Sequence, residues 1–304
     1  METGKFLVRF WGVRGSIPTP GPETVKYGGN TSCVEVRCGK QLIILDSGSG
    51  IRKLGIELNK KLPVEATILL SHFHWDHIQG FPFFKPGFQP NNIFHIYAGR
   101  KLNTTLKKLM QGQMMYPNFP VSLEAMDAKM DFKELIPGEN TLSIGDVEIK
   151  TAACNHPGEA LAFKISYEGA SVVYATDTEH YNYEHVPPFP KEHPPFLKGV
   201  GEFTDVNHVD PNLLKLSRDA DYLIYDATYT SEEYYGKTGS SKKGWGHSTW
   251  EEGVKLAKAA NVGKLILFHH DPEHDDDFVA EIERQASKAL PGTIAAYEGL
   301  EILL

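Results

Sequence analysis

Short apolar runs recur along the chain, and glycine, proline or acidic residues bound nearly all of them. Lys5-Phe6-Leu7-Val8-Arg9-Phe10-Trp11 mixes charged and apolar positions and predicts a first strand. It leads into Gly12-Val13-Arg14-Gly15-Ser16-Ile17-Pro18-Thr19-Pro20-Gly21-Pro22, where glycine and proline enforce a loop. That loop could cradle a phosphate, but it lacks the Lys-Ser/Thr ending of a nucleotide P-loop, and a plain turn explains it equally well. A hairpin is expected at residues 32–37 and 41–45 around Cys38-Gly39-Lys40. Asp46-Ser47-Gly48-Ser49-Gly50 then opens a helix from 51 to about 60, and Pro63 precedes a strand over 65–70.

Further strands are expected at 93–97, 147–153, 161–167, 171–176, 221–226, 264–268 and, as the last element, 293–297. Helices are expected at 102–111, 250–260 and 278–290, the last capped by Asp275-Asp276-Asp277 at its positive dipole end. Strand-rich halves with helices between them predict two sheets sandwiched by helices, a layered α/β architecture. One domain over 1–304 is the economical reading, with insertions at about 81–132 and 180–210. The first insertion is rich in Phe, Pro and Met. It suits either a lid or pocket wall over a site, or a loop-rich part of the core or a subunit interface. In the second, proline excludes helix, and His180, His185 and His193 lack a compact ligand spacing and read as solvated loop residues.

The chemistry concentrates in Ser71-His72-Phe73-His74-Trp75-Asp76-His77, directly after the apolar run at 66–70. Imidazoles and a carboxylate crowded at a strand end repel one another and compete for protons unless something binds them. A divalent cation removes the difficulty, since neutral imidazole and carboxylate oxygen are its ligands. Isolated partners follow later strands: His156 after 147–154, Asp177 after 171–176 and His269 after 264–268. Loops at strand ends are where scaffolded sites are commonly built.

Charge and cysteine content narrow the picture further. The formal net charge of −8 argues against a surface that holds long nucleic acid through many phosphates. It leaves room for a phosphate ester at a metal, because the metal brings its own positive charge. Cys33, Cys38 and Cys154 follow no zinc-finger or disulfide spacing, and an odd count fits a reducing compartment. The start of the chain has no signal-peptide core, and no apolar run approaches about 18 residues. The expectation is a cytoplasmic protein without a membrane span.

At these landmarks the chain resembles the metallo-β-lactamase-fold hydrolases, from about residue 6 to 270. The His-X-His-X-Asp-His signature is present as His72, His74, Asp76 and His77, with Asp46, His156, Asp177 and His269 in the expected order. The resemblance implies a four-layer αββα sandwich with a dinuclear metal site. His72, His74 and His156 would hold one ion and Asp76, His77 and His269 the other, with Asp177 bridging and Asp46 orienting a ligand from behind. His270 is a rival to His269, but the family's histidine directly ends its strand. Two divalent ions about 3.5–4 Å apart can hold a shared hydroxide and steady attacking and leaving oxygens. Zinc is the default metal for such a donor set, with manganese or iron also fitting.

Leu223-Ile224-Tyr225-Asp226-Ala227-Thr228 and Gly246-His247-Ser248-Thr249 further resemble paired motifs of the ribonuclease Z-like phosphodiesterase branch. Carried over, Asp226 orients His247, which protonates the leaving alkoxide, while Asp76 and Asp177 complete the catalytic set. Ser248 and Glu251 have capping-box spacing, which starts a helix at about 249 and fixes His247 just before it. Tyr225 and Asp226 stand where the tRNA-processing enzymes usually have His and Glu, and no long basic arm for tRNA is present. The opening Gly-Val-Arg-Gly-Ser-Ile-Pro and Tyr27-Gly28-Gly29-Asn30-Thr31-Ser32 look like those of small-substrate members, including cyclic-nucleotide phosphodiesterases.

The expected activity is hydrolysis of a small phosphodiester, best a cyclic nucleotide, by metal-bound hydroxide with His247 as general acid. Phe83, Phe84, Met114, Met115 and Tyr116 are candidate contacts for a base, and relatives suggest a homodimer. A lactonase, thioesterase or β-lactamase on the same fold would not require the Asp226/His247 pair. A tRNA 3′-processing ribonuclease is opposed by charge and the missing arm. A metal-binding sensor on a decayed hydrolase fold would show a broken constellation.

Overall fold

A computed structural model of the chain describes residues 6–101, 103–138, 141–180 and 209–304. Its strands differ in how they are buried, and that difference sorts them. β1 (Phe6–Gly12) alternates buried and half-buried positions, as an antiparallel strand with one face on a core should. β2 (Cys33–Cys38), β3 (Gln41–Leu45) and β4 (Glu65–Leu70) are buried almost throughout. β3 and β4 run parallel, and the parallel run continues through β5 (Ile93–Gly99) and β6 (Lys129–Leu135).

β7 (Thr141–Ile144), β8 (Val147–Ala153) and β9 (Leu161–Tyr167) form an antiparallel meander into β10 (Ala170–Ala175). β11 (Tyr222–Asp226), β12 (Lys264–Phe268) and β13 (Ile294–Ala295) then extend β10 in parallel. β14 (Glu301–Leu303) leaves this sheet and pairs antiparallel with β1. The result is two seven-stranded sheets, ordered 14-1-2-3-4-5-6 and 13-12-11-10-9-8-7.

Between the sheets lies one continuous apolar cluster, including Val8, Phe10, Val36 and Leu69 from one and Phe163, Tyr174, Ile224 and Phe268 from the other. A second cluster packs α1 (Ile51–Leu58) and α3 (Leu106–Gln113) on the outer face of the first sheet, beyond the single turn α2 (Trp75–Ile78). A third packs α4 (Pro211–Ser217), α6 (Trp250–Ala259) and α7 (Asp276–Ala289) on the second sheet, with the short α5 (Ser231–Tyr234) alongside the loops. The architecture is the expected αββα sandwich.

Several expectations need correction. The segment at about 81–132, read as an insertion, contributes β5, α3 and the start of β6 and so completes the first sheet. Phe84 and Met114 are buried at 0% and 2% exposure beneath that sheet, so they are core and not substrate contacts. Phe83, Met115 and Tyr116 are exposed, Phe83 packing edge-on against Phe119. The strand at 293–297 is not the last, because β14 follows it. Its Leu303, Ile302 and Glu301 face Leu7, Val8 and Arg9, which seals the edge of β1. Helix α6 is capped by Thr249, whose hydroxyl accepts from the Glu252 N–H, one position later than the Ser248/Glu251 spacing suggests. Asp275 does cap α7, accepting from the Phe278 N–H at 2.8 Å.

His185 and His193 lie outside the described residues, and His180 is half-buried against the Tyr234 ring, not solvated. No helix among the described residues is long and apolar enough to cross a membrane. Phe163 sits fully buried between the sheets. Phe163→Ala should cost about 3–5 kcal/mol, read as a lower urea midpoint. A loss under about 1 kcal/mol would mean the sheets do not share that core.

Candidate metal centre and active site

Most of the chemically active residues sit at or shortly past a strand's carboxyl end, where open α/β sheets place their ligands. Asp46 follows β3, Ser71 and His72 follow β4, and Asp177 lies just past β10. Asp226 ends β11 and His269 follows β12. Asp46, Asp177 and His269 hold left-handed backbones, with φ of 59°, 53° and 62°. Non-glycine residues bear such conformations at a cost of order 1–3 kcal/mol, which the surrounding packing must offset. The turn lets each side chain leave its strand toward one point above both sheets.

The side chains meet in two adjoining groups that share Asp177. His72, His74, His156 and Asp177 form one, and Asp76, His77, His269 and Asp177 the other, with the ligating atoms of each within 4.8 Å of one another. The nitrogens face each other: His156 Nε2 lies 3.0 Å from His74 Nδ1, and His77 Nε2 lies 3.4 Å from His269 Nε2. Asp76 Oδ2 is 3.1 Å from both His77 Nε2 and His269 Nε2, and Asp177 Oδ1 is 3.1 and 3.2 Å from the same pair. His72 Nε2 is buried without a hydrogen-bond partner among the described residues. Inward nitrogens that cannot all donate, beside carboxylates that only accept, form a donor set suited to divalent cations.

The outward nitrogens of His72, His77, His156 and His269 are engaged, which fixes the orientation of those rings. His77 Nδ1 donates to Asp46 Oδ2 at 2.8 Å, and His156 Nδ1 to the Gly246 carbonyl at 2.7 Å. Thr228 Oγ1 lies 3.0 Å from His269 Nδ1, and Ser71 Oγ lies 3.1 Å from His72 Nδ1. Asp46 is itself saturated, accepting from the Ser71 N–H and hydroxyl and from the Tyr174 hydroxyl. Such outer partners hold a ligating ring to one tautomer.

Burial pulls His72 well below the usual imidazole range, and His77 and His156 push it the same way. Burial likewise brings His156 down to about 4. For His77 burial is outweighed by Asp177, Asp76 and Asp46, which raise it well above the usual imidazole range. Burial raises the carboxyls of Asp76 and Asp177, but the surrounding imidazoles outweigh it and hold both below the ordinary range.

His247 stands beside this cluster, its ring stacked on His269 at 4.9 Å and 5.2 Å from His156. Its Nδ1 donates to Asp226 Oδ2 at 2.9 Å. Asp226 also accepts from the Thr178 and Thr228 N–H groups and the Thr228 hydroxyl. Burial lowers the His247 imidazole, but Asp226 and then Asp177 and Asp76 bring it up to about 9. Asp226, His247, Asp177 and His269 also meet the geometry for a metal, yet Asp226 and His247 already bind each other and read as an ion pair. His270 turns away: its Nε2 donates to the Ala296 carbonyl at 2.8 Å and its ring meets Tyr27. The Tyr225 hydroxyl donates to Ser248 Oγ at 3.1 Å.

Sequence reasoning missed three supports. Gly15 brings its loop so close that a Cβ there would overlap the His269 ring, and the next N–H, of Ser16, donates to Asp76 Oδ2 at 2.8 Å. Gly246 has φ +85° and no room for a Cβ against His156. Glu179 binds the Gly244 and Gly246 N–H groups at 2.8 and 2.9 Å and so fixes the carbonyl that orients His156. The crowding of glycine in Gly244-Trp245-Gly246 was the available signal for the last two.

Helix-flanked paired sheets with a histidine–carboxylate cluster at their strand ends define a metal-dependent hydrolase of the metallo-β-lactamase fold. The chain belongs to the family described as the beta-lactamase superfamily domain, whose model matches residues 43–191 and 203–270. Within it the chain stands in the ribonuclease Z-like branch. It is 22% identical to ribonuclease Z of Pyrococcus horikoshii, over 88% of this chain and 87% of that protein. The structure is similar to that of the metallo-beta-lactamase fold protein YhfI from Bacillus subtilis, with a TM-score of 0.67 at 19% identity, covering 99% of this chain and 100% of that one. A diphosphatase from the PhnP family matches with a TM-score of 0.66 at 16% identity, over 98% and 97% of the two chains.

Asp46 anchors His77 from outside the cluster, so Asp46→Asn should weaken zinc binding about 10–100-fold while the far-UV circular dichroism is kept. Competition with a chromophoric chelator measures this. Wild-type affinity in the variant would remove Asp46 from the support of the centre.

Proposed function

We propose that this chain hydrolyses a small phosphodiester, with a cyclic nucleotide as the leading candidate. Two divalent cations, zinc before manganese or iron, would be held by His72, His74 and His156 on one side and by Asp76, His77 and His269 on the other, with Asp177 common to both. Cations bound there supply Lewis-acid polarisation of a phosphoryl oxygen and an acidified water. The chain's own residues orient the ester and move the proton.

The observation that carries the phosphodiester reading is the Asp226–His247 hydrogen bond of 2.9 Å beside the cluster. With Nδ1 committed to Asp226, the proton on Nε2 is the one His247 delivers to the departing oxygen. An alkoxide leaves poorly unless protonated, so phosphate esters need such a donor. Lactones, thioesters and β-lactams need it less, which sets the lactonase, thioesterase and β-lactamase readings behind this one. The four donors to Asp226 hold it in place to steady the imidazolium before transfer.

A ribonuclease reading draws support from the relatives named ribonuclease Z. The net charge of −8 opposes it for any RNA gripped through many phosphates.

His247→Ala should leave the metal content unchanged and lower kcat on an unactivated diester by roughly 10²–10⁴-fold. The loss on a diester with a p-nitrophenolate leaving group should be smaller, since that group needs less protonation. Loss of metal, or full turnover of the unactivated diester, would remove the assigned role.

A further inference from the structure

The loop between α5 and α6 ends in His247, and the mechanism leaves most of it unused. Residues 234–250 include Lys237, Lys242 and Lys243 and no acidic residue, in a chain of net charge −8. The loop is braced along its length. The Lys242 N–H and the Ser241 hydroxyl donate to the Tyr234 carbonyl at 3.1 and 3.0 Å, and the Trp245 N–H donates to the Lys242 carbonyl at 3.1 Å. Glu179 pins the far end through the Gly244 and Gly246 N–H groups and also accepts from the Tyr234 hydroxyl.

On this rigid support Trp245 remains 56% exposed. The Lys242 ammonium lies over its ring at 4.5 Å and over the Tyr229 ring at 5.7 Å. Tyr229 in turn meets the His247 ring edge-on at 6.1 Å, so the cation is only one ring removed from the proposed proton donor. Lys243 lies over Tyr235 at 4.9 Å. Lys242 and Lys243 form no ion pair with a carboxylate among the described residues. A braced loop that leaves an indole in water and keeps cations free of carboxylates gains little for the core from either.

We propose that Lys242 and Trp245 form a nucleobase platform at the mouth of this site, so that the phosphodiester it takes carries an aromatic base. This narrows the phosphodiesterase reading and rests on it for the chemistry. Lys242 covers one face of the indole and fixes the ring, leaving the other for stacking. Stacking on an aromatic side chain accepts any base, because every base has a π face. The lysines supply local positive field that draws an anion to an acidic protein. The base belongs either to a free mononucleotide or to the end of an RNA strand; the shared chemistry is a base-bearing phosphodiester.

Calorimetric titration of the whole chain with adenosine 5′-monophosphate and with ribose 5-phosphate tests the platform by binding alone. The wild type should prefer the nucleotide. Trp245→Ala should lose about tenfold in affinity for it and so lose the preference, with Trp245→Phe restoring most of it. Lys242→Ala should weaken both ligands and flatten the salt dependence of binding. Equal wild-type affinity for the two ligands, or an undiminished preference in Trp245→Ala, overturns the proposal. Turnover of 3′,5′-cyclic AMP against a short single-stranded oligoribonucleotide distinguishes the two sources, with Trp245→Ala raising KM for whichever is cleaved. If neither ester is cleaved while the nucleotide preference persists, the hydrolytic reading falls and the platform stands.

Discussion

Crowded, desolvated imidazoles and carboxylates are the constraint on which the rest of this structure depends. His72, His77 and His269 are essentially without solvent contact, as are Asp46, Asp177 and Asp226. Burying ionisable groups in such numbers is unfavourable unless they are paired or coordinate metal. Part of the cost is met by hydrogen bonds, since Asp46 and Asp226 each accept several and the outward nitrogens of His72, His77, His156 and His269 are engaged. The inward nitrogens face one another and the carboxylates of Asp76 and Asp177, His72 Nε2 without a partner among the described residues, and together they form a donor set that fits divalent cations.

The fold makes this convergence possible through its parallel strands. β3–β4 and β10–β11–β12 end at the same edge of the sandwich, and left-handed residues at Asp46, Asp177 and His269 turn the chain there. Each group of ligating residues draws on both halves of the chain, so neither sheet can hold the site without the other. The loop carrying Gly15 and Ser16 and the loop carrying Gly246 and His247 then close on the cluster from either side.

Much of this was legible in the sequence because strand ends and ligand types coincide. β4, β8, β9 and β12 match their expected limits, and the apolar runs that define them lead to His72, His156 and His269. The choice of His269 over His270 agrees with the structure, where the second histidine serves the Ala296 carbonyl. What local pattern could not show is which apolar groups a tertiary contact would claim. Phe84 and Met114 look like a pocket wall in a segment without periodicity, yet the first sheet needs them as its outer core. The short β14 carries too few residues to declare itself and exists because β1 offers an open edge. Thr249 displaces Ser248 as the cap because the Ser248 hydroxyl bonds to Tyr225, a long-range contact. Glu179 is one more acidic residue in the sequence and acquires its role only when the Gly244 and Gly246 N–H groups and the Tyr234 hydroxyl are folded around it.

The buried donor set calls for cations. Elemental analysis of the purified chain after saturation with zinc and exhaustive dialysis measures them directly. About two divalent ions per chain is the result this geometry predicts. A chain that retains none, while folded and with its histidines intact, would contradict it.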